Sequence, residues 1–191
     1  MKTYKRNEVC HFSKAKEKWG ELGNMTGSFG FPLQGTLIMS SESLYQAMRF
    51  PDYPQIQMEI LAQSGGMGAK MVSKKYRKDF TRSDWDDVRV DVMWWCLQLK
   101  FAHHVNRLGP ILIETGDRDI VERSRNDDFW GAIPKDDDLI GENILGELWM
   151  LVRAHYFSDV ERGGAFHKWV QAPRINNFEL FSKMIHNVEV K

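Results

Sequence analysis

Two cysteines in 191 residues, Cys10 and Cys96, are too few for a disulfide framework and lack zinc-site spacing, and they suit a reducing cytoplasm. An excess of charge is missing too. Twenty-six Lys and Arg balance 26 Asp and Glu, so no global basic field marks a nucleic-acid binder, and only a local patch remains open. The start, MKTYKRNEVCHFSKAKEKW, lacks the apolar run of a signal peptide, and no segment is long enough to span a bilayer. A cytoplasmic protein with no membrane partner is expected. No G-x-S-x-G elbow or Cys–His motif supports acyl transfer. The six histidines include no i, i+4 pair around a glutamate, and the adjacent His103 and His104 diverge by about 100° on a helix, so no metal is expected. Repeats, low-complexity tracts and linkers are missing as well. What is plentiful is aromatic: seven Trp and eleven Phe, the material of an aromatic core, a stacking site, or both.

The pattern is mostly helical. Ser40–Phe50, SSESLYQAMRF, opens as a helix with serines to cap it, Glu42 in the first turn, and Leu44, Ala47 and Met48 on one face. Pro54 starts a second helix through about Gln63, after which SGGMGAK breaks the chain. The clearest helix runs from Asp84 to about Asn106, with Ser83 as N-cap and Gly109-Pro110 beyond its end. Ile111–Ile113 reads as a short buried strand. Asn143 caps a helix to about Tyr156, and a last helix begins near Asn177, burying Phe178, Phe181, Met184 and Ile185. The expected fold class is mainly α with a few short strands. Residues 1–159 form a single compact domain, and 160–191 a C-terminal extension whose terminal helix packs on it.

Several stretches carry possible chemistry. GGMGAK, 65–70, offers bare amides and Lys70 at a helix start, a phosphate cradle or a flexible turn. KMVSKKYRKDFTR, 70–82, is a basic groove or a solvated helix face. TGDRDIVERSRNDDFWG, 115–131, crowds Asp117, Glu122, Asp127 and Asp128 around a turn. Carboxylates this dense are costly unless solvated, paired or used. Trp130 followed by Gly131 offers an open flat face for stacking, or one anchored ring in an acidic loop.

Four ordered blocks resemble the NADAR/YbiA-like family. SSESLYQAMRF is similar to its S-E-H-x-x-Q-A-x-K-F helix. Trp85, Arg89, Met93, Lys100 and Phe101 match its W-x-x-x-R-x-x-x-M…K-F helix. The 115–131 segment is similar to T-G-D…L-V-E…D-x-x-W-G, and GENILGELWMLVR, 141–153, to G-x-N-x-L-G-x-x-L-M-x-V-R.

The resemblance implies a mostly helical N-glycosidase without a cofactor, acting at a ribose C1 next to a base-like nitrogen. Two substrate classes go with it: ADP-ribose on guanine in nucleic acid, removed to reverse a toxin's modification, and a phosphorylated ribosyl intermediate of riboflavin synthesis. A non-catalytic ADP-ribose-binding module is a third reading. Glu42 and Asp127 take the positions of the functional carboxylates, and Lys70 that of a lysine suited to a phosphate contact or to catalysis. Asn24, Gln46, Arg49, Trp85, Arg89, Asp117, Glu122, Trp130, Gly131 and Asn143 take ligand-binding positions. Arg153 is a further polar candidate, positioning or structural. Two departures stand out. Ser43 replaces the family's histidine, and Arg49 its lysine. A lysine can form a Schiff base with an opened ribose and a guanidinium cannot. Imine chemistry would fall to Lys70 or Lys100, with direct hydrolysis as the alternative. Which N-glycoside is cleaved, and the oligomeric state, are not legible.

Overall fold

The structure is a computed structural model and describes residues 1–161 and 168–190. In chain order its elements are β1 (Lys2–Lys5), β2 (Cys10–Phe12), a 3-10 turn (Gly20–Leu22), β3 (Phe31–Leu33), β4 (Thr36–Ile38), α1 (Ser41–Ala47), α2 (Pro54–Leu61), α3 (Gly66–Phe80), α4 (Trp85–His103) and α5 (Val105–Thr115). Then follow β5 (Ile120–Glu122), β6 (Ile133–Lys135), β7 (Asp138–Gly141), α6 (Ile144–Glu161), β8 (Trp169–Val170), β9 (Glu179–Leu180), β10 (Lys183–Met184) and β11 (Val188–Glu189). The fold is mainly helical with short strands. Its contacts divide the chain into two compact units, Met1–Gly23 with His104–Phe166, and Asn24–His103 with His167–Lys191. Of the segment expected as an extension, the described residues 168–190 fall in the unit of residues 24–103.

In the first unit β1, β7 and β6 form an antiparallel sheet, and β2 pairs in parallel with β5, Cys10 opposite Ile120. Tyr4, Val121, Ala132 and Leu139 make a small core. Helix α6 docks closely: a Cβ at Gly146 would collide with the Ile120 carbonyl. Its first amides need no side-chain cap. Ile144 and Leu145 donate to the carbonyls of Phe129 and Trp130, at 3.0 Å each. Asn143, expected as the cap, is fully buried and in the left-handed region (φ 54°). Its amide instead stitches β5, accepting from Glu122 N (3.0 Å) and donating to Ile120 O (2.8 Å).

Two expectations fail here. Ile111–Ile113 is not a strand but part of α5, and Pro110 does not end a helix but lies inside one. Pro110 removes the donor for the Asn106 carbonyl, and both residues are exposed, which leaves room for solvent where that helix bond is lost. The helix break comes earlier, at His104 (φ −130°). Gly109 serves packing instead, since a Cβ there would stand 2.9 Å from the Tyr156 hydroxyl.

In the second unit every residue of α1 is buried, and α2, α3 and α4 surround it. SGGMGAK holds both the break and the next helix start, because Ser64 and Gly65 are bends after α2 and α3 begins at Gly66. The expected terminal helix is also absent. Asn177 is left-handed (φ 52°), and β9 and β10 form a hairpin whose two turn residues, Phe181 and Ser182, both have positive φ, as a type I′ turn requires. Phe178 and Ile185 are buried as expected, but Met184 is half exposed. The hairpin is tied to α2 by Gln57, which donates to Glu179 O (3.0 Å) and accepts from Phe181 N (2.7 Å).

Candidate active site

Glu42 is the centre of the second unit. Ser40 caps α1 by accepting from Ser43 N (3.1 Å), and its hydroxyl lies 2.8 Å from that of Ser43. Ser43, at the family's histidine position, is therefore a buried residue whose amide and hydroxyl both meet the capping Ser40. Glu42 N and Ser41 Oγ both donate to the Asn24 carbonyl, at 3.0 and 3.1 Å, which fixes the preceding loop on the first turn. From that loop Asn24 Nδ2 donates to Glu42 Oε2 (2.6 Å), and Gln46, one turn on, donates Nε2 to Oε1 (2.8 Å). The carboxylate is only 3% exposed. Gly66 permits this closeness, since a Cβ there would stand 2.8 Å from Met25 Cα and 3.0 Å from Glu42 Cβ.

Burial pushes the Glu42 carboxyl above its ordinary range. The Gln46 amide, then the charges of Lys70, Arg77 and Arg49, pull the other way without overcoming it. A buried carboxylate with an amide N–H on each oxygen and cations on its flanks is poised to stabilise positive charge or to orient water.

Arg49 is half-buried, with its Cζ 4.3 Å above the Trp85 ring. Burial lowers its pKa to about 10, leaving it charged at neutral pH. Tyr45 also packs against Trp85, with ring centroids 4.9 Å apart. Trp85 Nε1 and Arg49 Nε are buried donors without a hydrogen-bond partner among the described residues. Arg89, half-buried, lies 3.8 Å from Asp86. Of the two lysines, Lys70 is half-buried on α3, whereas Lys100 is 1% exposed with its ammonium 4.7 Å from the Phe29 ring centre.

The remaining candidates lie in the first unit. Asp127 Oδ1 accepts from Phe129 N (3.2 Å) and Trp130 N (2.8 Å), which folds the D-x-x-W turn. Trp130 is half-buried, edge-on to Phe129 at 5.1 Å. Gly131 is not there to open the ring's face. A Cβ on it would stand 2.5 Å from the Glu122 carbonyl, so backbone proximity demands the glycine. Glu122 is half-buried in β5, and Asp117 is exposed. Arg153 donates to Thr115 Oγ1 (2.9 Å) and Arg118 O (2.8 Å), a tie between α6 and the end of α5. Among the described residues no three of His, Cys, Asp and Glu converge to hold a metal ion.

The NADAR domain family model matches residues 4–156. The chain belongs to this family. It is 34% identical over 146 residues to a riboflavin biosynthesis protein of Vibrio vulnificus, which covers 76% of this chain but only 38% of that protein. It is 28% identical over 148 residues to the N-glycosidase YbiA of Escherichia coli, 78% of this chain and 88% of that one. The solution structure of E. coli YbiA superposes with a TM-score of 0.68 at 27% identity, over 82% of this chain and 88% of that one.

Within this NADAR chain two polar residues beside Glu42 escape a reading by motif. Ser73 Oγ and Arg77 Nη2 both donate to Gln46 Oε1, at 2.6 and 3.1 Å. Their i, i+4 spacing on α3 was the available signal, but it is buried in a run of lysines that reads as a solvated face.

Proposed function

We propose that this NADAR chain hydrolyses a ribose C1–N bond, with Glu42 as the carboxylate beside C1, and that its substrate is ADP-ribose attached to guanine in nucleic acid. Departure of the base leaves oxocarbenium character on the ribose. Water adds to C1 with loss of one proton, and the base leaves with one proton gained. Glu42 stabilises the cation and accepts or orients the water proton. The observation that carries this reading is the buried Glu42 carboxylate with Asn24 and Gln46 on its two oxygens. The activity is the one named for E. coli YbiA.

Support for the polynucleotide lies on α3. Lys74 and Lys78 are exposed one turn apart, and a groove of about 430 Å³ beside them is lined by Gln63, Gly68, Met71, Val72, Lys74 and Lys75. Such cations suit backbone phosphates. The second reading is a phosphorylated ribosyl intermediate, favoured by the name of the Vibrio relative.

The test is release of ADP-ribose from a guanine-modified oligonucleotide, beside hydrolysis of a ribosylaminopyrimidine phosphate, by wild type and Glu42→Gln. Wild type is expected to prefer the oligonucleotide, and Glu42→Gln to lose on the order of a hundredfold or more in rate. Preference for the small substrate would select the second reading. Equal rates in the two proteins would remove Glu42 from the chemistry.

A further inference from the structure

The hydrogen bonds around Glu42 continue outward to a charge on α3. Gln46 Oε1 receives Ser73 Oγ at 2.6 Å and Arg77 Nη2 at 3.1 Å, while Arg77 Nε reaches Ser73 Oγ at 3.3 Å. A guanidinium only donates, so the atom of Gln46 that meets it is the carbonyl oxygen. The amide NH2 must then face Glu42. Ser73 is fully buried and Gln46 nearly so, which makes a reversed amide costly. Among the described residues no carboxylate forms an ion pair with Arg77, so its charge is not cancelled locally.

We propose that Ser73 and Arg77 are positioning residues that lock the Gln46 amide with its NH2 toward Glu42 and so favour the ionised carboxylate. This rests on Glu42 being the reacting carboxylate, and it adds what sets its protonation. A protonated Glu42 would have to point a hydroxyl at, or turn it away from, an NH2 that cannot accept. The other charged or titratable groups that act with Glu42 are Lys70 on α3, Arg49 just beyond α1, Tyr45 within α1 and Cys96 on α4. Arg77 differs from them in being hydrogen-bonded through Gln46.

The decisive measurement is the titration of the Glu42 side-chain carboxyl carbon by 13C NMR, assigned by its loss in Glu42→Gln. In Arg77→Gln the midpoint is expected at higher pH than in wild type, and in Arg77→Lys, which keeps the charge, back near wild type. Ser73→Ala is expected to move it the same way by less, and serves if Arg77→Gln does not fold. Kinetics follow on whichever substrate wild type cleaves. Arg77→Gln is expected to lower kcat roughly three- to tenfold on the acid side, with the gap closing as pH rises. A plain structural defect would lower kcat equally at every pH. An unmoved midpoint in folded Arg77→Gln, or Arg77→Lys behaving like Arg77→Gln, overturns the proposal. A midpoint that moves in a protein cleaving neither substrate leaves the positioning role standing and removes the N-glycosidase reading.

Discussion

The Arg49 guanidinium stacks on Trp85, its Cζ 4.3 Å from the ring centre, at the position where the family carries a lysine. A guanidinium held this way gives charge and a planar fork, but no nucleophilic amine. Direct hydrolysis is therefore expected, and borohydride added during turnover should trap no adduct. Arg49→Lys keeps the charge, loses the planar stack, and is expected to lower stability to urea by up to about 2 kcal/mol, since such contacts are worth about 0.5–2 kcal/mol. A borohydride-dependent mass gain mapped to Lys70 or Lys100 would contradict direct hydrolysis.

Asp127 has a structural task that can be separated from chemistry. Its Oδ1 holds the amides of Phe129 and Trp130, and an asparagine Oδ1 can do the same. Asp127→Asn is expected to unfold within about 1 kcal/mol of wild type, because the turn survives. If Asp127 is also the second carboxylate of the reaction, turnover falls at least tenfold. Wild-type turnover in the folded variant would leave Asp127 as a turn-former alone.

Legibility followed how local each signal was. The serine cap of α1 and the apolar residues of α1 and α6 sit within a few residues of one another, so both helices were readable. Ile111–Ile113 was not, because three apolar residues suit a strand or a helix, and the exposure of Asn106 and Pro110 that makes a proline tolerable there is a tertiary fact. The hairpin at Phe181-Ser182 escaped because neither turn residue is the Gly or Asn that announces positive φ. Of the site, Glu42, Gln46 and Asn24 came through the family's pattern. Ser73 and Arg77 did not, because their partner Gln46 lies 27 and 31 residues away. The residues of the 115–131 segment were legible as a motif, while the reason for Gly131, the nearby Glu122 carbonyl, appears only in the fold.

Gly66 links the start of α3 to Glu42. A Cβ at this position would meet Met25 Cα, a backbone atom that cannot swing aside. Gly66→Ala is expected to cost about 1–3 kcal/mol through overpacking, against the few tenths to 1 kcal/mol that alanine gains in a helix. Because the displaced neighbour is Glu42 itself, turnover should fall as well. Gly68→Ala is the control, since its Cβ would meet only the flexible Gln63 side chain at 3.2–3.6 Å. It is expected to be neutral or stabilising by urea denaturation. If the two variants behave alike, close packing of α3 on Glu42 does not constrain position 66.

The direction of the Glu42 titration has a consequence for stability. Its folded value lies above the ordinary 4.5, because burial disfavours the charge. Between the two values the folded chain binds a proton that the unfolded chain has released. Stability therefore falls as pH rises from about 4.5 through the folded value, at up to about 1.4 kcal/mol per pH unit. Glu42→Gln cannot titrate and lacks this slope. It also leaves one neighbouring amide of Asn24 or Gln46 facing another NH2, a constant cost of about 1–3 kcal/mol. His11, which burial and Arg123 hold low, is common to both proteins and cancels in their difference. The Cys96 thiol, pushed well above 9 by burial, titrates outside the window. Urea denaturation of both proteins from pH 4 upward should show wild type more stable at the acid end and the difference shrinking or reversing as pH rises. Parallel curves would mean that Glu42 titrates alike in the folded and unfolded chains, which a carboxylate this deeply buried should not do.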